Sequence, residues 1–252
     1  MLKRLPKPAI IAHRGASAYA PENTLSAFEL AAQQQADAVE LDIHLSADGY
    51  VIVIHDNTVD RTTDGEGLVS TLPLAALKEL DAGSAYDNAF RGEKIPTLAE
   101  VFETIGKKIF INVELKKDTA TTEKLTENVA KCVRDHNMTS RVLFSSFYPT
   151  VLWQIAKLLP DTPRGLLVYR GLPGFLARTW LKELVPHQSL HLTLKDAKQD
   201  LIDRVHRQGR SVFVYTINNP TNIQRLIKLG IDGIFTDDPY LALRTMAKTT
   251  AL

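Results

Sequence analysis

Two histidines follow short apolar segments in the first quarter of the chain. His13 comes directly after the apolar residues 9–12, and His55 comes directly after the apolar residues 51–54. The unperturbed pKa of histidine, about 6.5, allows each imidazole to accept or release a proton near neutral pH. The two residues therefore predict general acid–base chemistry.

Three acidic side chains lie on predicted apolar strands. Glu40 and Asp42 are two residues apart in the run 39–45, so both side chains point to one face of a strand. Glu114 occupies a similar place in the run 109–115. Carboxylate oxygens are the ligands that Mg²⁺ and Ca²⁺ prefer, whereas no cysteine or paired-histidine spacing indicates zinc. The three residues predict a site for one divalent cation, with Mn²⁺ as a further possibility.

Two basic residues accompany these groups. Arg14 directly follows His13, and Lys116 lies two residues after Glu114, on the same strand face. A guanidinium and an ammonium can together bind the oxygens of a phosphate group. We expect Arg14 and Lys116 to contact an anionic substrate.

Apolar strands alternate with helical patterns along the whole chain. Helices are clearest at 121–136, 196–208 and 219–229. Eight βα units in 252 residues are typical of a TIM (β/α)8 barrel. A doubly wound sheet is less favoured, because no Gly-x-Gly-x-x-Gly follows the first strand. The predicted strands cover residues 9–12, 39–45, 109–115, 142–145, 165–168, 189–192, 211–216 and 233–235.

Residues 57–96 interrupt this alternation. We interpret them as an insertion after the second strand, packed over one face of a barrel that forms a single domain from 1 to 252. Arg61 and Asp64 are expected to order the inserted segment. In a TIM barrel the reactive groups lie at the C-terminal ends of the strands, where the histidines, carboxylates and basic residues are predicted to meet.

Composition limits the classes of partner. The chain is 44% hydrophobic and 23% charged with a net charge of +1, so nothing favours nucleic acid. The single cysteine, Cys132, excludes an internal disulfide. No apolar run approaches the roughly 18 residues of a membrane span, and no signal-peptide pattern is present. We expect no stable membrane insertion and a cytoplasmic location, and the oligomeric state stays open.

Several residues have a structural interpretation beside the functional one. His44 shares the face of Asp42 and is expected to support the site rather than act in it. Asp237 and Asp238 are expected to cap the helix that follows. Residues 172–184 are read as a barrel helix, with a weak membrane-contact helix as the alternative. Surface or packing roles are expected for the remaining histidines, His136, His187, His191 and His206.

Aromatic residues are expected mainly in the core. This applies to Phe147, Trp153, Trp180 and Tyr215. Of these, Phe147 and Tyr215 are also predicted to contact substrate at the rim of the site.

Taken together, the motifs resemble those of the glycerophosphodiester phosphodiesterase family. The resemblance covers nearly the whole chain and is most specific in residues 9–116. It implies a TIM barrel with an insertion after the second strand. The motifs that carry it include His13-Arg14-Gly15, Pro21-Glu22-Asn23-Thr24, Glu40-Leu41-Asp42, His55-Asp56, Arg61-Thr62-Thr63-Asp64-Gly65, Glu114-Leu115-Lys116 and Gly233-Ile234-Phe235-Thr236-Asp237-Asp238-Pro239.

The resemblance also implies a reaction, in which a glycerophosphodiester yields an alcohol and glycerol 3-phosphate. Gln35 stands where the family usually has a glycine, and Tyr215 where it usually has a tryptophan, which changes the shape of an aromatic wall. Implied roles are metal ligands at Glu40, Asp42 and Glu114, the acid–base pair at His13 and His55, and phosphate contacts at Arg14 and Lys116.

Three other functions remain open from the sequence. A phospholipase D-like enzyme of the same superfamily would act on lysophospholipids at a membrane surface. An inert barrel would only bind glycerophosphodiesters or a partner protein. A metal-dependent sugar-phosphate isomerase or lyase could use the same fold.

Overall fold

The computed structural model describes residues 1–117, 122–169 and 184–250, without the side chains of 249 and 250. Except for its last residue, the helix expected at 172–184 lies outside the described residues, as does Trp180.

Within these ranges nine strands form one sheet. Strand β1 pairs in parallel with both β2 and β9, so eight parallel strands close into a barrel and the TIM-barrel prediction is confirmed. The short strand β3 is antiparallel to β2 and lies outside the closed barrel. The strands are β1 (Ala9–His13), β2 (Ala38–Leu45), β3 (Val51–Val53), β4 (Phe110–Leu115), β5 (Val142–Ser146), β6 (Arg164–Leu167), β7 (Ser189–Thr193), β8 (Ser211–Tyr215) and β9 (Gly233–Thr236).

Helices connect the strands. Thr24 caps the first of them by accepting a hydrogen bond from the backbone of Ala27. Gln35 follows that helix with a φ of 62°, a left-handed conformation that glycine adopts more easily. The described helices are α1 (Leu25–Gln33), α2 (Leu74–Glu79), α3 (Leu98–Ile105), α4 (Thr122–Asp135), α5 (Pro149–Leu158), α6 (Gln199–Arg207), α7 (Pro220–Lys228) and α8 (Pro239–Thr250), with short 3₁₀ turns at Leu2–Arg4, Val69–Thr71 and Asn88–Phe90.

Strand alternation separates the core from the site. Along β2, Leu41 and Ile43 belong to the large apolar cluster that also contains Phe28 of α1. Glu40 and Asp42 alternate with them and therefore point into the barrel. A smaller apolar cluster, with Ile11, Ala38, Phe213 and Phe235 among its members, fills part of the barrel interior.

The insertion 57–96 has a small apolar core of its own. Val59, Val69 and Leu77 pack there with Ile52 of β3 and with Ile54, which directly follows that strand. The apolar core of the insertion therefore packs against β3 and the residue that follows it. Among the described residues, none of the helices has the length and apolar composition needed to cross a membrane.

Trp153 corrects one sequence prediction. It was expected in the core, but 50% of the residue is exposed. Val151, Leu152 and Ile155 of the same helix are buried and occupy its inward face. The indole lies on the other side because a helix presents one stripe to the core.

Candidate active site

A cavity of about 220 Å³ lies at the C-terminal ends of the barrel strands. It brings together most of the residues that the sequence predicted. Asp42 does not line the cavity itself but contacts residues that do. The predicted residues that line it are His13, Arg14, Glu40, His55, Glu114, Lys116, Phe147 and Tyr215.

The three predicted acidic residues form one buried cluster. Asp42 and Glu114 are register partners on β2 and β4, and carboxylate oxygens of Glu40, Asp42 and Glu114 lie within 4.8 Å of one another. Burial, followed by the neighbouring Asp42, raises the pKa of Glu40 to about 8. The same two causes raise the pKa of Glu114. Three carboxylates this close disfavour one another's charge, so the cluster could hold a hard cation.

Lys116 and Arg14 supply positive charge to this cluster. Lys116 Nζ lies 2.7 Å from Asp42 Oδ1 and 2.6 Å from Glu114 Oε1. Arg14 Nε lies 3.4 Å from Asp42 Oδ2. Burial raises the pKa of Asp42, but Lys116 and Arg14 outweigh it and lower that pKa. Asp42 is therefore ionised beside the positively charged side chains of Lys116 and Arg14.

The turn after β1 fixes the position of Arg14. Its φ is 56°, and its backbone N–H donates to Glu40 Oε2 at 3.0 Å. At the next residue, Gly15, φ is 85°, and a Cβ would lie 2.7 Å from the backbone of Ala27. Only glycine fits this turn, which explains the His13-Arg14-Gly15 motif.

His13 holds a carboxylate from the far end of the chain. Its Nδ1 lies 2.7 Å from Asp237 Oδ1. Asp237 also accepts from Ser17 Oγ at 3.2 Å and from Asn218 Nδ2 at 2.5 Å. Burial lowers the pKa of His13, but the hydrogen bond to Asp237 and the charge of Glu40 outweigh it, so that pKa is raised.

The position of Asp237 corrects a second sequence prediction. Helix capping is the role of Asp238, whose carboxylate accepts from the backbone of Leu241 at 2.8 Å. For Asp237 the capping prediction is wrong. The sequence could have indicated the contact between Asp237 and His13, because a closed barrel must place β9 beside β1. The end of β9 then lies next to His13.

His55 holds a carboxylate from the adjacent residue. Its Nδ1 lies 2.6 Å from Asp56 Oδ1, and Arg61 Nε donates to Asp56 Oδ2 at 2.6 Å. Burial and the charge of Lys116 lower the pKa of His55 more than Asp42 raises it. His44 Nε2 donates to the carbonyl of His55 at 3.1 Å and does not line the cavity, in line with its expected supporting role.

Arg61 connects the insertion to the barrel. Its two terminal nitrogens donate to the Glu22 carboxylate at 2.9 and 2.7 Å. Glu22 also accepts from Arg14 Nη1 at 2.9 Å. From the sequence we expected Arg61 to order the inserted segment, but not to bind Asp56 and Glu22.

Phe147 and Tyr215 form one wall of the cavity. Their ring centroids lie 6.1 Å apart in an edge-on arrangement, and Phe147 stacks on Tyr169 at 4.1 Å. The Tyr215 hydroxyl donates to the carbonyl of Val168 at 2.8 Å, which fixes the ring.

Three polar residues that were not predicted as site residues also line the cavity, namely Asn112, Ser145 and Thr216. Asn112 on β4 and Ser145 on β5 are both buried, and Asn112 Nδ2 donates to Ser145 Oγ at 2.9 Å. Asn112 lies two residues before Glu114, on the same strand face. That spacing was the signal that could have found it.

Comparisons with known proteins agree with this geometry. A model of the glycerophosphoryl diester phosphodiesterase family matches residues 13–241. A glycerophosphodiester phosphodiesterase of Caldanaerobacter subterraneus subsp. tengcongensis is 40% identical over 244 residues, which cover 96% of this chain and 99% of the relative.

Solved structures give the same result. An Oleispira antarctica phosphodiesterase in complex with the product sn-glycerol-3-phosphate has a TM-score of 0.88 and 34% identity, covering 96% of this chain and 97% of that one. A glycerophosphodiester phosphodiesterase from Agrobacterium tumefaciens has a TM-score of 0.81 and 30% identity, covering 94% and 99%. These matches confirm the resemblance that the motifs predicted.

Proposed function

Because the chain belongs to the glycerophosphoryl diester phosphodiesterase family, and is thereby a phosphoric diester hydrolase, we propose that it hydrolyses glycerophosphodiesters with the help of one divalent cation. The products are glycerol 3-phosphate and an alcohol. The observation that carries the proposal is one cavity with two histidine–carboxylate pairs beside a buried cluster of three carboxylates.

Glu40, Asp42 and Glu114 would hold the cation. Their donor set is all oxygen, which suits Mg²⁺ or Ca²⁺ and also admits Mn²⁺. A bound cation supplies charge neutralisation for the phosphate oxygens as negative charge grows in the transition state. The raised pKa of Glu40, to about 8, supports this assignment, because an added positive charge would favour its ionised form.

Arg14 and Lys116 bind and orient the phosphate. Both line the cavity, and both already face the carboxylate cluster. Their charges hold the diester beside the two imidazoles, which lowers the entropy cost of reaching the transition state.

His55 acts as the general base in this proposal. Asp56 accepts a hydrogen bond from the Nδ1–H group, which leaves the lone pair of Nε2 free to take the proton of the attacking hydroxyl. The lowered pKa of His55 keeps this ring neutral near pH 7. The attacking oxygen forms its bond to phosphorus while its proton passes to Nε2. The hydroxyl belongs to water or to the substrate's own glycerol. In the second case a transient cyclic phosphate forms, and a water must then open its ring to give glycerol 3-phosphate.

His13 acts as the general acid. Asp237 favours its protonated form, in line with its raised pKa. As the bond between phosphorus and the alcohol oxygen breaks, Nε2 gives its proton to the departing alkoxide. Hydrolysis by water therefore moves one proton from the water to His55 and one proton from His13 to the departing alcohol.

The preferred substrates are small, deacylated glycerophosphodiesters. A cavity of about 220 Å³ lies below the roughly 300–1,000 Å³ of pockets that enclose drug-sized ligands. It suits a glycerol and a phosphate better than a long acyl chain. Phe147 and Tyr215, on the wall, are the residues we expect to influence the choice of alcohol.

Release of glycerol 3-phosphate from glycerophosphocholine tests the proposal. Turnover should stop in excess chelator and return with Mg²⁺, Mn²⁺ or Ca²⁺, and Glu114→Gln should weaken cation binding as well as turnover. Full turnover in excess chelator by metal-free protein would reject the cation. A higher kcat/KM for a long-chain lysophosphatidylcholine would favour the phospholipase D-like activity instead.

A further inference from the structure

We propose that Asn112 and Ser145 form a subsite that recognises a free hydroxyl of the substrate's glycerol, and so select deacylated substrates. The inference rests on the proposed function and concerns the same cavity. It assigns a specificity role to two residues at a depth in the barrel that the acid–base and phosphate-binding groups do not occupy.

Asn112 carries an unsatisfied acceptor at the cavity. The residue is 0% exposed, and its Oδ1 is fully buried without a hydrogen-bond partner in the described part of the chain. A buried carbonyl oxygen without a donor is costly, and native proteins seldom leave one unpaired. Since Asn112 lines the cavity, a ligand can supply the missing donor.

Ser145 contributes the complementary group. Its Oγ accepts the hydrogen bond from Asn112 Nδ2, so the hydroxyl hydrogen is still available to donate. The described residues provide no acceptor for that hydrogen. The pair thus presents one acceptor and one donor, which is the pattern that an alcohol hydroxyl satisfies, because it donates and accepts at once.

An ester oxygen cannot satisfy this pair. It accepts a hydrogen bond from Ser145 but has no hydrogen for Asn112 Oδ1, so that acceptor stays unpaired. A site built to pair with a hydroxyl discriminates strongly against an analogue that lacks it. The subsite therefore favours a glycerol whose recognised hydroxyl carries no acyl group.

The depth of the pair assigns it to the glycerol rather than to the departing alcohol. Asn112 is the register partner of Glu40, and Ser145 is the register partner of Glu114, so the pair adjoins the carboxylate cluster. Asn112 lies two residues deeper in the barrel than Glu114. Leu167 and Phe235 also line this cavity. A closed end suits the half of the substrate that is constant, while the variable alcohol needs the open mouth.

Product binding in the cation-loaded enzyme provides the test, because it avoids any role of a hydroxyl in the chemistry. The ligands are glycerol 3-phosphate and two analogues that each lack one hydroxyl, 3-hydroxypropyl phosphate and 2-hydroxypropyl phosphate. The wild type should bind one analogue about 10- to 100-fold more weakly than glycerol 3-phosphate. In Asn112→Ala that discrimination should fall to within a few-fold, and Ser145→Ala should reduce it by a smaller factor.

Two controls separate recognition from general damage. Asn128→Ala removes an asparagine that donates to the Gly49 carbonyl at 2.7 Å, away from the cavity, and should leave the discrimination unchanged. Titration with Mn²⁺ should give the same affinity for Asn112→Ala as for the wild type.

The possible failures are distinct. Equal weakening of all three ligands by Asn112→Ala, or a loss of Mn²⁺ affinity, would overturn the subsite and place Asn112 in support of the carboxylate cluster. Absence of discrimination by the wild type would overturn it as well. If the wild type releases no glycerol 3-phosphate from glycerophosphocholine, the proposed function fails, and the binding comparison still decides on the subsite.

Discussion

Two histidines that line the same cavity are each hydrogen-bonded to a carboxylate, but the two pairs are formed in different ways. His13 and Asp237 are 224 positions apart and meet because β1 and β9 close the barrel. His55 and Asp56 are neighbours in sequence, in the segment that leads into the insertion, and Arg61 from the insertion fixes Asp56. The first pair forms through closure of the barrel, and the second forms between adjacent residues and receives a further contact from the insertion.

The supporting groups give the two imidazoles opposite tendencies. Asp237 is held by the neutral side chains of Ser17 and Asn218, so its charge acts on His13, whose pKa is raised despite burial. Asp56 is held by the guanidinium of Arg61, which lowers the pKa of Asp56 to about 2. Two similar pairs can therefore serve as acid and as base, because Asp237 and Glu40 outweigh burial at His13, whereas burial and the charge of Lys116 outweigh Asp42 and Asp56 at His55.

Removing either imidazole is expected to have the largest effect. His13→Ala and His55→Ala should each lower kcat by about 10²–10⁴-fold, the usual contribution of a general acid or base. The double variant should be far less damaging than the product of the two effects, because both groups act in one proton-transfer sequence. Steady-state kinetics on glycerophosphocholine provides the measurement.

A third histidine–aspartate pair provides the control. His206 Nε2 lies 2.7 Å from Asp232 Oδ2, just before the start of β9 and therefore away from the cavity. His206→Gln should leave kcat within a few-fold of the wild type. If His13→Ala or His55→Ala behaves like His206→Gln, that residue is structural.

The carboxylates should separate the two pairs in a pH profile. Asp237→Asn removes a negative charge that favours protonated His13, so the basic limb of kcat/KM should move to lower pH by about one unit. Asp56→Asn should move the acidic limb to lower pH by a smaller amount, because Arg61 already balances Asp56. Equal shifts of both limbs in either variant would contradict separate acid and base roles.

The sequence predicted the parts of the site that short segments encode. Glu40 and Asp42 were placed by strand alternation, and Glu114 by the same rule one barrel strand later. Asp237 was missed because its role depends on a pairing that joins the two ends of the chain. The prediction for Trp153 was wrong because the sequence of this apolar ten-residue helix does not show which of its sides packs against the barrel.

Arg61 tests how far the second pair depends on the insertion. Arg61→Ala should lower kcat by about tenfold or less, because His55 keeps its hydrogen bond to Asp56 and loses only the group that orients it. Arg61→Lys keeps the charge but cannot reproduce the paired contacts to Glu22, so it should recover only part of that loss. Arg91→Ala, exposed in the same insertion, is the matched control. An effect of Arg61→Ala no larger than that of Arg91→Ala would show that the insertion does not orient His55.

His191 is a buried barrel histidine that has no carboxylate partner among the described residues. We expect its substitution to change the stability of the protein rather than its turnover. The residue is 0% exposed, its Nε2 lies 3.0 Å from Ser189 Oγ, and burial lowers its pKa to about 3. Between about pH 6.5 and 3 the unfolded chain binds a proton at this residue that the folded chain does not. The free energy of unfolding must therefore fall as the pH falls through that window, by up to about 1.4 kcal/mol per pH unit.

His191→Gln can retain a hydrogen bond to Ser189 but does not titrate, so its stability deficit should be largest near about pH 8 and shrink on acidification. Urea denaturation of both proteins across this range measures the difference, and parallel pH dependences would mean that folded His191 takes up its proton as readily as the unfolded chain does.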